Sequence, residues 1–548
     1  MSRRRIPAVL LAGLLILGGP ETTAAQGTTG RVSRPRLIVV IAVDQLRADY
    51  IDRFRPSFGP AGFNLFLEHG ARFVTARHRH AITETCPGHA VMLTGSYGMV
   101  NGIVANDWYD VRSKRAMYCA EDTTVTLVGS GSAGRSPRNL LNGTVGDELK
   151  AQTADRARVI TVAGKDRSAI MLGGKRADAA YWPVDSVFVT STYYRPDLPA
   201  WVRRFNASHP AGRYVGRTWD RAQPAAAYAA MGADDVRYER DVAGLGRTFP
   251  HPVTSAQAVD YTPYSDEIVA QFAMGAVAAE SLGRDTVPDL LAIGFSATDR
   301  VGHTFGPNSH EIMDDVVRLD RTLARLFGFL NREVGWDDVL LVLTADHGVA
   351  PFPELIARGG RRPGPGRLDP ATVDSAVARA LSTRYGAVPA TVWVEYDGGG
   401  WLSLSRLALS RRHAPPAEAI GIARAAIRRL PGIYDVRTAD ELERRRADGA
   451  VSGPAGDAVR SYYPGRAGDL IYLLRPNWLV SDEPTGTTHG SGWPYNQDVP
   501  LLWYGRGVVP GTYRDTVAVA DLAPTLAALL RLPSPQGAQG RVLQQILR

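Results

Sequence analysis

Asp289-Leu290-Leu291-Ala292-Ile293-Gly294-Phe295 is an apolar run of strand length, and Asp299-Arg300-Val301-Gly302-His303 lies just beyond it. Val339-Leu340-Leu341-Val342-Leu343 repeats the arrangement, with Asp346-His347-Gly348 after it. Continuous apolar runs of this length suit strands buried on both faces, as in a parallel sheet covered by helices. Asp and His at strand ends fall at the carboxyl edge of such a sheet, where open α/β folds bind ligands. Carboxylate paired with imidazole suits zinc or another first-row divalent ion better than magnesium or calcium. If the two fragments converge, the chain is a metalloenzyme.

Outward from these fragments the same pattern recurs. Arg36 to Val43 is a β-branched strand candidate ending at Asp44, and Val159 to Val162 is another, ending before Gly164-Lys165-Asp166-Arg167. Between the two opening fragments, Ile312, Val316, Val317, Leu319, Leu323 and Leu326 are spaced by threes and fours. That spacing predicts an amphipathic helix over 311–331 joining the two strands. Short helices are expected at 61–69 and 90–93, a strand at 499–504, and a closing helix at 522–530 with Asp521 as its cap. Alternating strands and helices predict an α/β class fold: a doubly wound, mostly parallel sheet flanked by helices, over residues 36–548. Two stretches rich in Tyr, Trp, Pro, Gly and Arg, about 178–285 and 355–475, break the alternation. They read as inserted cap segments. Helices are expected within the second at 369–381 and 417–430, with Asp369-Pro370 as a cap and first-turn pair.

A chain of 548 residues can bury a large core, and a 45% hydrophobic, 22% charged composition places it among ordinary globular proteins. Arg3-Arg4-Arg5, the apolar run Ala8 to Leu17, and Thr23-Ala24-Ala25 form a secretory signal pattern over residues 1–25. The apolar run is too short for roughly 30 Å of hydrocarbon, and no Cys stands nearby for lipidation. Cleavage, with no stable membrane anchor, and a periplasmic or secreted protein are therefore expected. The net charge is +8, or +6 without the three Arg and one Glu of residues 1–25. So mild a surplus does not point to nucleic acid. Cys86 and Cys119 are the two cysteines. Three readings stay open for them: a disulfide closing a loop of about thirty residues, two free thiols, or one buried Cys beside the site.

A two-metal phosphoryl-transfer site needs two ligand sets and a nucleophile between them. Asp44, Asp299, His303, Asp346, His347 and a late His489 in Thr487-Thr488-His489-Gly490 supply enough ligands. Thr83-Glu84-Thr85-Cys86-Pro87-Gly88-His89, then Leu93-Thr94-Gly95, then Gly102-Ile103-Val104-Ala105-Asn106 complete an ordered set. That set resembles the alkaline phosphatase superfamily, and within it the type I phosphodiesterase/nucleotide pyrophosphatase group. It is most similar to the bacterial branch of periplasmic, threonine-nucleophile alkaline phosphatases. The resemblance implies two Zn²⁺ ions, one held by Asp44, Asp346 and His347 and the other by Asp299, His303 and His489. It implies Thr85 as nucleophile and metal contact, with Asn106, Lys165 and Arg167 binding the phosphoryl oxygens. It implies small phosphate monoesters as substrates and a phosphothreonine intermediate. The oligomeric state stays open, with a monomer favoured.

Rival readings are nearby. Thr83 is a competing hydroxyl and Lys175-Arg176 a competing basic pair. A phosphodiesterase or nucleotide pyrophosphatase would use the same metals and Thr85. A non-catalytic periplasmic metal- or phosphate-binding protein is the more distant alternative. Sulfatases of the superfamily carry Cys-x-Pro-x-Arg, but Gly88 and Ala90 occupy the Pro and Arg positions here. His89 reads as a hydrogen-bonding residue and not as a ligand.

Overall fold

The computed structural model describes residues 34–131, 133–357, 364–389 and 392–548. The expected signal segment, residues 1–25, lies outside them. The central sheet contains, in chain order, β1 (Leu37–Val43), β2 (Ala71–Arg77), β3 (Glu121–Val128), β4 (Ala133–Arg135), β5 (Val159–Ala163) and β6 (Ala179–Val184). It continues with β7 (Val187–Ser191), β8 (Asp289–Phe295), β9 (Val339–Thr344), β10 (Asp498–Gly505) and β11 (Gly511–Ala518). Their spatial order is β11-β2-β10-β9-β1-β8-β5-β6-β7-β3-β4. The middle strands β9, β1, β8, β5 and β6 pair in parallel. β10 runs against both β9 and β2, β2 and β11 are parallel, and β7, β3 and β4 continue the other edge in antiparallel steps. Within this sheet β10, β7 and β4 therefore oppose β1.

Register sets the level of the site. Leu37 is opposite both Asp289 and Val339, and Val43 is opposite Phe295. β1, β8 and β9 are buried along their whole lengths, as their unbroken apolar runs require. Their carboxyl ends emerge side by side. Six helices matter here: α1 (Thr85–Thr94), α2 (Asp166–Gly173), α3 (Tyr264–Ala279), α4 (Ala297–Phe305), α5 (His310–Glu333) and α6 (Leu522–Leu530). α5 is the expected connector and buries Ile312, Val316, Leu319, Leu323 and Leu326. α6 starts where expected, but Asp521 does not cap it. Its carboxylate accepts from Ala518 N at 2.9 Å and Arg541 N at 2.8 Å. Ala518 precedes a short 3₁₀ turn before α6, and Arg541 reaches Asp521 from twenty residues further along, so the carboxylate is drawn away from the helix.

Residues 394–474 build a second, four-stranded antiparallel sheet in the order Val394–Gly398, Trp401–Leu404, Leu470–Leu474, Ile433–Thr438. Helices Pro370–Tyr385 and Pro416–Ile427 pack on it around Val377, Leu381, Leu402, Ala423, Ile427 and Leu470. Asp369 Oδ1 caps the first of them by accepting from Ala371 N at 2.8 Å. At the borders of the other insertion, β6 and β7 join the main sheet and α3 packs against β5 and β8.

The stretch between β7 and α3 places Glu239, 2% exposed, near the fully buried Glu311 of α5. Burial and then the charge of Glu311 push the Glu239 carboxyl up to about 9. A folded pKa above the unfolded value gives stability that is full below about pH 4.5 and lost as pH rises toward about 9. Glu239→Gln mimics the protonated form. Thermal melts of variant and wild type should diverge above about pH 5, the variant gaining up to roughly 1.4 kcal/mol per pH unit. Parallel melts across that range would sink the assignment.

Candidate active site

The three strand ends bring the expected carboxylates together. Asp44 follows β1, and its N–H donates to Phe295 O at 2.9 Å. Asp299 and His303 stand on α4 four residues apart and so share a face, with His303 Nε2 3.2 Å from Asp299 Oδ1. Asp346 and His347 follow β9. Asp346 Oδ1 accepts from His347 N at 2.9 Å and from Gln45 N at 3.0 Å. Gln45 escaped the sequence reading. Its φ of 68° lies in the left-handed region, and its buried Nε2 donates to Asp299 Oδ1 at 2.7 Å. It therefore ties the Asp346 turn to Asp299. A Cβ on Gly302 would collide with Gln45 Oε1, so the side chain of Gln45 fits only because residue 302 has none.

His489 arrives from a distant loop. Its ring stacks on His347 at 3.7 Å, and its Nε2 lies 3.7 Å from Asp299 Oδ1. All three imidazoles are oriented alike. Nδ1 of His303 faces Thr487 O at 2.7 Å, that of His489 faces Thr83 O at 2.8 Å, and that of His347 faces Gly348 O at 3.0 Å. A carbonyl can only accept, so each Nδ1 carries the proton and each Nε2 presents a lone pair. This is the arrangement that prepares histidines as metal ligands. Burial lowers the pKa of His347 and of His489, which keeps both neutral.

Donor atoms of Asp299, His303 and His489 lie within 4.8 Å of one another, as do those of Asp44, Asp299 and His347. Asp299 thus belongs to both groups. Asp346 sits beside the second, its Oδ2 3.4 Å from His347 Nε2. His347 Nε2 and Asp44 Oδ1 are buried 3.5 Å apart, and no hydrogen bond reaches either atom. Two buried acceptors facing each other are costly unless a cation joins them. The donor set fits divalent metal ions.

Electrostatics point the same way. Burial, then the charges of Asp299 and Asp346, raise the Asp44 pKa well above the carboxylate range. Burial acts in the same sense on Asp299, but the Lys165 ammonium overrides it and holds Asp299 well below that range. Lys165 Nζ is 2.6 Å from Asp44 Oδ2 and 2.5 Å from Asp299 Oδ2.

Thr85 is the first residue of α1 and is buried. Arg167 donates from an Nη to Thr85 Oγ1 at 3.4 Å. Asn106 Oδ1 accepts from Cys86 N at 2.9 Å, and its own N–H donates to Glu84 Oε2 at 2.7 Å. With Oδ1 engaged, the side-chain NH₂ of Asn106 is left as a donor. Asp166 anchors the Lys165–Arg167 turn by accepting from Tyr118 OH at 2.6 Å and Arg135 Nε at 2.8 Å. Those two anchors carry no motif and were not expected. His89 behaves as read: its Nδ1 lies 2.9 Å from Thr85 O and 3.1 Å from Asp346 Oδ2. The rivals are engaged elsewhere. Thr83 Oγ1 donates to Ser491 O at 3.0 Å, Lys175 Nζ donates to Leu141 O at 2.8 Å, and Arg176 pairs with Asp155 at 2.8 Å.

This is an α/β protein with paired Asp/His clusters beside a helix-borne threonine. Residues 38–494 match the family described as Type I phosphodiesterase / nucleotide pyrophosphatase, and the chain belongs to that family. It is 34% identical to alkaline phosphatase PhoV of Synechococcus elongatus, over 94% of each chain. It is 31% identical to alkaline phosphatase PafA of Elizabethkingia meningoseptica, over 99% of each. The crystal structure of wild-type PafA superposes with a TM-score of 0.89 at 30% identity, covering 94% of this chain and 100% of that one.

Cys86 and Cys119 are joined in a disulfide, 33 residues apart in sequence, which settles the three open readings. Cys119 N also donates to Asn106 O at 2.8 Å, so the bridge fastens the start of α1 to the Asn106 turn. Replacing both cysteines by serine should lower stability by about 2–4 kcal/mol in non-reducing denaturant unfolding. An unchanged midpoint would mean that the bridge adds nothing to the fold.

Proposed function

We propose that this protein is an exported, zinc-dependent alkaline phosphatase that hydrolyses small phosphate monoesters to inorganic phosphate through a phosphothreonine. The observation that carries the reading is the convergence of three lone-pair-presenting imidazoles and three buried carboxylates beside Thr85 and Arg167. Export is supported by the signal pattern of residues 1–25 and by the disulfide, which persists in oxidising compartments. Among the described residues no helix is long and apolar enough to cross a membrane.

Asp299, His303 and His489 would hold one zinc, and Asp44, Asp346 and His347 the other. Bound there, the ions would supply the Lewis acidity that stabilises the Thr85 alkoxide and the departing oxygen. Thr85 Oγ1 attacks phosphorus, the bond to the alcohol oxygen breaks, and a phosphothreonine remains. Water then hydrolyses it, releasing inorganic phosphate and restoring Thr85. The start of α1 directs its helix dipole at the phosphoryl group. Arg167, already at Thr85 Oγ1, offers forked N–H donors to the non-bridging oxygens, and the NH₂ of Asn106 offers another. Lys165 adds a second positive charge beside Asp44 and Asp299. Two cations suit the dianionic phosphoryl group of a monoester. A diester carries one charge and a second substituent that needs room.

The family also contains phosphodiesterases, so the test compares p-nitrophenyl phosphate with bis-p-nitrophenyl phosphate. Zinc-loaded wild type should favour the monoester by several orders of magnitude in kcat/KM. Replacing Lys165 and Arg167 together by alanine should cut monoester turnover by at least about 10³ and largely spare the diester. A diester preference in the wild type would favour the phosphodiesterase reading instead. Thr85→Ala should abolish burst phosphorylation and reduce turnover by about 10³ or more. Full activity in that zinc-loaded variant would refute the covalent route.

A further inference from the structure

A cleft of about 200 Å³ opens beside the cluster, between His489 and the inserted four-stranded sheet. Glu84, the residue before Thr85, lines it, together with Thr488, His489 and Gly490. The opposite wall comes from the insertion and the loop after it, with Tyr434, Tyr472, Trp478 and Trp493 as its aromatic residues. The volume is below the roughly 300 Å³ of drug-sized pockets, so it suits a group of one or two rings.

The charge of the cleft is informative. No Lys or Arg lines it, whereas Glu84 and Asp457 do. Asp457 is paired with Arg460 at 2.9 Å and accepts from Gln497 at 3.0 Å. Glu84 accepts from Asn106 N but has no cation within salt-bridge distance among the described residues. Such a surface is unsuited to a second phosphate or a carboxylate. The cations Lys165 and Arg167 lie outside the lining, so phosphoryl binding and this cleft use separate walls.

Tyr434 and Trp493 form an aromatic pair in the cleft wall. They meet edge to face with ring centroids 5.5 Å apart, although Tyr434 is 49% exposed. Trp493 Nε1 donates to Leu474 O at 2.9 Å, which locks that ring before any ligand arrives. A half-exposed tyrosine beside a fixed tryptophan offers a preorganised stacking surface.

We propose that this cleft binds the alcohol half of the ester and selects flat, apolar, uncharged alcohols, phenols and naphthols above all. The inference rests on the phosphomonoesterase reading and adds the substrate class. The phosphoryl group would be held by Asn106, Lys165 and Arg167, and the ring would lie past His489 against Tyr434 and Trp493.

The test measures kcat/KM for 2-naphthyl phosphate and ethyl phosphate in zinc-loaded wild type, Tyr434→Ala, Trp493→Ala and Tyr434→Phe. Comparing the two substrates within each variant removes differences in folding, zinc loading and overall activity. The naphthyl-to-ethyl ratio is expected to fall about tenfold in each alanine variant and to stay near wild type in Tyr434→Phe, which keeps the ring. A ratio unchanged in both alanine variants, with both esters still hydrolysed, would overturn the cleft assignment and leave the phosphatase reading intact. Failure of wild type to hydrolyse either ester would overturn the phosphatase reading itself.

Discussion

Three buried carboxylates, Asp44, Asp299 and Asp346, are forced together because β1, β8 and β9 end at one level of the sheet. Like charges in a dry interior are unstable unless cations or hydrogen-bond donors meet them. Much of the surrounding structure is an answer to that problem. Lys165 spans Asp44 and Asp299, His89 faces Asp346, and Gln45 donates to both Asp346 and Asp299. Backbone was adapted to let these groups in. Residue 45 takes a left-handed φ, residue 302 has no side chain, and a Cβ on Gly88 would press into Asp346. A cluster held in this way is preorganised for a small, highly charged ion, and its stability and chemistry have the same source.

The strands that carry the site were legible because two properties coincide in them. They are dominated by apolar residues, since both faces are covered, and each is followed within four residues by Asp44, Asp299 or Asp346. α5 was legible for a similar reason: its buried stripe has helical period over its whole length. Other features leave no such trace. The 499–504 run reads as a strand, but nothing in its period says that β10 opposes β9, because ladder direction is decided by the connection and not by the side chains. Gln45, Tyr118 and Arg135 act through hydrogen bonds to distant residues and belong to no spacing pattern. Asp521 shows the converse, a residue with the right local context for a cap whose carboxylate is drawn off by Arg541, twenty positions away.

The roles of Thr85 and Arg167 in the proposed reaction also depend on supports outside the metal cluster. α1 is fixed at its first turn by the Cys86–Cys119 bridge and by the Asn106 side chain, while the Asn106 carbonyl holds Cys119. α2 is fixed at its start by Asp166, which Tyr118 and Arg135 hold. Tyr118 and Cys119 are consecutive, so one short segment braces both helix starts. Thr85 and Arg167 are thereby set against each other with little freedom to drift, which is what a nucleophile and an anion-binding group require.

The inserted sheet meets this frame close to the reacting end. Gly399 and Gly400 turn at φ of 56° and 76°, and a Cβ on Gly399 would lie 3.0 Å from Ala105 and 3.3 Å from Glu84. Tyr396, on the strand before that turn, donates to Asp107 O at 2.9 Å. The insertion is therefore packed against the residues that flank Asn106 and Thr85, and is not a detached ornament. Its aromatic wall faces a cleft without Lys or Arg, while Lys165 and Arg167 stay at the start of α2. Such a division separates two demands. The phosphoryl site proposed on α1 and α2 and the cleft proposed for the alcohol would then be shaped by different parts of the chain.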